Sequence, residues 1–299
     1  MGRRLDARAA WRLLGQRREV RACDLAQQVR HNLPGFQLWV PFGKDAAVTC
    51  PNRARPSVKC HAPIVTLVLL PGLDGTGLLF ADFVASLGTD TEVIVASYPP
   101  DVALNYLELE SVARSFLPHD RPFFLLAESF SGPIAISIAA SSPQGLLGIV
   151  LCCSFARNPL PLLGVFRPVL GVAPVTLLPM ALLSFFVFGR FATPVLCGAL
   201  TKSLTLVVPE VLRARVRAVL SVDVSASLSR VNVPVLYLHA SKDRLVSKSS
   251  AELVATLAPQ TQVAEFLAPH FLLQVLPSRA AFTVAEFMGI HPVSPQLER

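Results

Sequence analysis

Ser129 stands in Ala127-Glu128-Ser129-Phe130-Ser131-Gly132, between an apolar run that reads as a strand and a small-residue stretch that reads as a helix. A serine at such a junction is held out on a tight turn, the nucleophile elbow. That elbow is written G-x-S-x-G because the turn crowds both flanking positions. Here the flanks are Ala127 and Ser131, small but not glycine, so the place between strand and helix says more than the letters. A helix N-cap serine is the competing reading. A serine hydroxyl is a poor nucleophile near neutral pH and needs a base that is itself held by an acid. Three histidines follow: His239, His270 and His291. His291 falls in a C-terminal tail and His239 ends a strand. His270, in Leu267-Ala268-Pro269-His270-Phe271, follows the last strand, where a loop brings it over the sheet's carboxyl edge, and is the expected base. Asp243 occupies the loop after the penultimate strand and is the expected acid; the alternative is a turn-forming aspartate paired with Arg244. Asp223 is the other aspartate between Ser129 and His270, within a long insertion.

Acyl chemistry also needs backbone N–H groups aimed at the developing oxyanion. The Phe130 amide, immediately after the serine, is one candidate. The Leu73 amide in Pro71-Gly72-Leu73-Asp74-Gly75, after the first strand, is the other. That glycine-rich turn could instead cradle phosphate, but neither G-x-G-x-x-G nor G-x4-G-K-[ST] is present.

The elements that must position these groups read as βαβ units with a parallel sheet. Strands are expected at 64–70, 92–97, 123–127, 147–152, 233–239 and 263–267, and helices at 78–87, 106–117, 131–140 and 248–257, with a closing helix that ends near 288. The fold class is therefore α/β, a mainly parallel central sheet with helices on both faces. Regular alternation stops between about 155 and 232. An insertion of that length is expected to be a lid or a binding element. Within it, Val211 to Leu220 reads as a helix with Leu212, Val216, Val219 and Leu220 on one face and Arg213 and Arg217 on another.

Composition narrows the field. The chain has 299 residues, 52% hydrophobic and 16% charged, which excludes whole-chain disorder. Residues 1–60 hold twelve Lys/Arg against four Asp/Glu, while the rest holds fifteen against sixteen, so the formal +7 belongs to the N-terminal stretch. The bulk of the chain gives no electrostatic reason to bind nucleic acid. Residues 1–62 read as a basic extension, 63–290 as one α/β domain and 291–299 as a tail. The extension is either a contact for an anionic lipid surface or a partner, or a segment without catalytic importance. Six cysteines do not make a disulfide framework. Cys50, Cys60 and His61 lack paired ligand spacing, so no metal or other cofactor is expected. Adjacent Cys152 and Cys153 are expected as buried thiols on opposite faces of a strand. Asp6 stands where a myristoylation pattern needs Ser or Thr, and charges break every early apolar run, so a cytoplasmic protein is expected. Residues 168–189 carry no charge and are long enough to span a bilayer. However, Pro174 and Pro179 interrupt them, and Ser129 and Asp243 on either side must meet at one sheet edge.

With the elbow serine, the oxyanion turn, Asp243 and His270 in this order, residues 63–290 resemble the α/β-hydrolase superfamily. They look most like small esterase-like members with Leu-Pro-Gly-Leu-Asp-Gly-Thr-Gly after the first strand and Pro-His-Phe-Leu-Leu-Gln near the end. The resemblance implies a Ser129–His270–Asp243 triad and cleavage of carboxylic esters through an acyl-enzyme. The apolar insertion points to an apolar acyl or alcohol group in a small-molecule ester and to peripheral contact with lipid; the alternative is that its apolar residues only cover the sheet. The family's first two strands find no clear counterpart in residues 1–62. Two alternatives stand beside hydrolysis. The Pro-Gly-x-Asp-Gly stretch also looks like that of plant phytyl ester synthases, which implies acyl transfer to an alcohol. The non-glycine elbow leaves room for a hydrolase-like binding module.

Overall fold

Successive side chains of an extended chain point to opposite sides, so a strand that is apolar at every position has to be covered on both faces. The computed structural model, which describes residues 65–89, 91–159 and 180–290, arranges the apolar runs in this way. The expectations for residues 1–62, for 291–299 and for most of the 168–189 run lie outside the described residues. Every residue of β1 (Thr66–Leu70), β3 (Phe123–Glu128) and β5 (Val235–Ala240) is buried, and in β4 (Leu146–Cys152) all but Leu147 are. The edges are β2 (Glu92–Val95), half-buried throughout, and β6 (Thr261–Phe266), which is largely open to solvent. The order is β2-β1-β3-β4-β5-β6, and every pairing is parallel.

The two side-chain sets of the sheet feed two cores. On one face Val68, Leu70, Leu125 and Ala127 pack with α2 (Tyr106–Arg114), α3 (Gly132–Ala140) and α8 (Lys248–Leu257). On the other, Leu67, Leu69, Phe124 and Leu126 meet α1 (Ala81–Ser86), the short α9 (Leu272–Val275) and α10 (Pro277–Phe287). The expected 78–87 helix is a 3-10 turn, Leu78–Phe80, followed by α1. Asn105 caps α2 by accepting from the Leu107 and Glu108 amides while Glu108 accepts from the Asn105 amide, which fixes where the helix starts.

The insertion is more regular than its sequence suggests. It contains α4 (Met180–Val187), α5 (Pro194–Thr205), α6 (Pro209–Ser221) and a short α7 (Ser225–Leu228). Both α5 and α6 carry a proline in the first turn, where its missing N–H costs no helical bond. Among the described residues no single helix is long and apolar enough to cross a membrane; α5 and α6 together reach that length but bend by 101°. Cys153 is placed differently from expectation. It lies just past the end of β4 with φ 46°, and its side chain joins that of Cys152 in the same core cluster rather than crossing to the other face.

Candidate active site

In a parallel sheet all loops that follow strands gather at one edge. Ser129 comes directly after β3, Asp243 in the loop after β5 and His270 in the loop after β6. The structure brings all three together. The His270 Nε2 lies 2.8 Å from Ser129 Oγ, and its Nδ1 lies 2.8 Å from Asp243 Oδ2. Asp243 Oδ1 accepts from the Leu245 and Val246 amides at 2.8 and 2.9 Å, which leaves Oδ2 free to face the imidazole. The turn-forming and imidazole-holding readings of Asp243 are thus one conformation. Arg244 turns away, donating to the Phe185 carbonyl and lying 4.2 Å from the centre of the Phe185 ring. Asp223 is exposed and accepts from the Ser225 amide, apart from this cluster.

Ser129 has φ 48°, a left-handed backbone that a non-glycine residue holds only where its surroundings enforce it. Those surroundings are visible. Ser154 Oγ donates to the Ser129 carbonyl at 2.6 Å, and the Gly132 amide bonds the same oxygen. Gly132, rather than position 131, is where a side chain cannot fit: a Cβ there would lie 1.7 Å from Ser154 Oγ. Ser131 uses its hydroxyl instead. It donates to the Pro71 carbonyl and lies 2.7 Å from the Tyr98 hydroxyl, tying the elbow to the loop after β1. Departure from glycine at this position adds a cross-link between the two loops.

Both sequence-predicted amides belong to peptides whose carbonyls are tied elsewhere. C=O and N–H point in opposite directions across a trans peptide. The Ser129 carbonyl is held by Ser154, so the Phe130 N–H points the other way. The Gly72 carbonyl accepts from the Gly75 amide at 3.0 Å, which turns the Leu73 N–H outward from that tight turn. The Phe130 ring is buried, stacked on Tyr106 at 5.0 Å, and Tyr106 donates to the Phe130 carbonyl.

Electrostatics favour a charge-ready histidine. Burial disfavours the imidazolium, but the Asp243 carboxylate, its hydrogen bond and the charge of Glu128 outweigh this and raise the His270 pKa above the ordinary value. Asp243 is lowered: burial works against its charge, and His270 together with the two loop amides overcomes it. Glu128, beside the serine, is buried and accepts from Gln274 Nε2 at 2.9 Å. Burial, opposed by that hydrogen bond and helped by the charge of Asp74, pushes Glu128 up to about 7. Sequence reading missed Glu128, although an acid placed inside an otherwise apolar strand end was a signal. It also missed Arg215, buried among the carbonyls of the Leu73 turn. Cys153, Asp243 and His270 carry potential ligand atoms within 4.8 Å of one another. Both imidazole nitrogens already face Asp243 and Ser129, so a metal there would have to break that chain.

No protein-family model matches the chain. Phytyl ester synthase 1 of Arabidopsis thaliana, a chloroplast protein, is 31% identical over 137 residues, 42% of this chain and 19% of that one. The chain therefore spans about a fifth of the length of the curated relative it matches. Among solved structures, an enol-lactonase from Burkholderia xenovorans superposes with a TM-score of 0.67 at 18% identity, covering 77% of this chain and 94% of that one. A hydrolase from Pseudomonas aeruginosa gives 0.65 at 20% identity, over 76% and 91%. The chain has the α/β-hydrolase fold, with a six-stranded parallel sheet.

Proposed function

We propose that this protein is a serine hydrolase of carboxylic esters, with Ser129 as nucleophile, His270 as proton shuttle and Asp243 as the group that holds and charges the shuttle. The observation that carries the reading is the continuous hydrogen-bond chain from Ser129 Oγ through both nitrogens of His270 to Asp243, begun on a left-handed serine. In the reaction, the Ser129 O–H proton passes to His270 Nε2 as Oγ bonds the acyl carbon and the carbonyl electrons move onto oxygen. The Leu73 and Phe130 amides face that oxyanion. Collapse expels the alcohol, whose oxygen takes the proton from His270, and leaves an acyl group on Ser129. Water, deprotonated by His270, attacks the acyl carbon, and the serine leaves with the proton restored. The apolar side chains of the insertion favour an ester with an apolar acyl or alcohol part, met in solution or at a lipid surface. The insertion then serves as a lid.

The test is reaction with a fluorophosphonate probe, in wild type and Ser129→Ala, alongside p-nitrophenyl esters of graded chain length. Labelling and turnover are expected in wild type and absent from the variant. A folded wild type that takes up no probe would leave a binding module as the better account.

A second reading, acyl transfer to an alcohol, rests on the likeness to phytyl ester synthase 1. The acyl-enzyme is common to both, and the acceptor decides between them. With long-chain alcohol present at increasing concentration, ester product that rises at the expense of free acid favours transfer, and unchanged acid yield favours hydrolysis.

A further inference from the structure

A guanidinium cannot shed its charge in a protein, and burying it without a carboxylate is costly unless dipoles of fixed direction replace the lost water. Arg215 lies on α6, in the insertion, and is 1% exposed. Among the described residues it forms no ion pair. Its Nη1 donates to the carbonyls of Leu73 and Asp74 at 2.9 and 2.6 Å, and its Nη2 to that of Pro99 at 3.0 Å. The guanidinium carbon stands 5.7 Å from the centre of the Tyr98 ring. Gly75, with φ 70°, has room for no side chain, because a Cβ there would come within 2.4 Å of Arg215 Nη1. Loop and guanidinium are built against each other.

What this contact fixes can be followed bond by bond. Holding the Asp74 carbonyl orients the Asp74–Gly75 peptide, whose Gly75 N–H on the opposite side faces back to the Gly72 carbonyl. That bond sets the Gly72–Leu73 peptide, and with it the direction of the Leu73 N–H. The Gly75 carbonyl is taken by the Tyr98 amide at 2.8 Å, and the Tyr98 hydroxyl meets Ser131 of the elbow. We propose that Arg215 is a positioning residue for the oxyanion turn, so that the insertion supplies part of the machinery that stabilises the transition state. The proposal rests on the ester-hydrolase reading above. A methionine would fill the same apolar path along the side chain; the three carbonyls are what require a guanidinium.

The experiment compares wild type, Ser129→Ala, Arg215→Met and Arg215→Lys for kcat and KM on one p-nitrophenyl ester, for fluorophosphonate labelling rate and for thermal melting. Misplacing an oxyanion donor is expected to lower kcat by about 10–100-fold in Arg215→Met with KM little changed, since the oxyanion exists only in the transition state. Labelling should slow in parallel, and Arg215→Lys, which keeps the charge but not the fork, should fall between. Wild-type kcat in a folded Arg215→Met overturns the positioning role while leaving labelling lost in Ser129→Ala to support the serine. Absence of labelling in wild type removes the serine reading and this proposal with it. Should Arg215→Met fail to fold, Arg215→Lys decides: a loss in kcat at unchanged KM and melting temperature supports positioning, and wild-type kcat refutes it.

Discussion

Two carboxylates act on His270 from different distances. Asp243 touches the ring, and Glu128 is felt as a charge across the base of the elbow. A base has to be neutral to accept the serine proton, so the acid limb of the pH profile should lie above the ordinary histidine value, the direction in which His270 is raised. Because ionised Glu128 favours the imidazolium, Glu128→Gln should move that limb to lower pH; an unmoved limb, or one moved upward, in kcat/KM against pH would refute the coupling. Stability gives an independent sign. Glu128 titrates near 7 when folded and near 4.5 as a free side chain, so the folded state binds the proton more tightly than the unfolded state. The stability it withdraws is therefore lost as pH rises between those two values and stays lost above them. The melting temperature of Glu128→Gln, relative to wild type, is expected to be higher at pH 8 than at pH 5.

At the scale of elements, the elbow shows where sequence reading reaches and where it stops. Strand–serine–helix is legible because β3 is apolar from Phe123 to Ala127 and α3 sets isoleucines among glycine, alanine and serine. The motif places the glycine at 131, but the turn needs it at 132, since the crowding comes from Ser154, a residue of the next strand's loop. Gly132→Ala should thus cost about 1–3 kcal/mol through overpacking and disturb the Ser154 bond that holds the Ser129 carbonyl. An unchanged urea midpoint would show that Ser154 can move aside freely. Arg215 marks a second limit. On α6 it lies three residues after Leu212 and four before Val219, so helical spacing alone puts it on the apolar face. Residue type alone sends an arginine to solvent, and the carbonyls that receive it come from residues more than a hundred positions earlier. The order Ser129, Asp243, His270 was readable because each follows a strand; their partners at the loop bases were not, because those contacts are set by tertiary packing.

For the whole molecule, the insertion raises the question of where an apolar ester would be met. Residues 180–208 carry Arg190 and Lys202 and no acid. Several large apolar side chains of α4 and α5 face outward, Phe186 at 38% and Val195 at 79% exposure among them. Apolar side chains beside cations with no acid between them suit the boundary of an anionic lipid layer, where apolar contact and charge attraction act together. Access to substrate, not bond breaking, is what such a surface would improve. The rate on a long-chain p-nitrophenyl ester should therefore rise more than proportionally when the ester is presented in vesicles containing anionic lipid, and the gain should shrink as salt screens the attraction. Phe186→Ser combined with Val195→Ser should abolish that gain and leave hydrolysis of the dissolved acetate ester unchanged, because both side chains are open to solvent. Equal loss on both substrates would mean that these helices serve the reaction itself and not its approach to lipid.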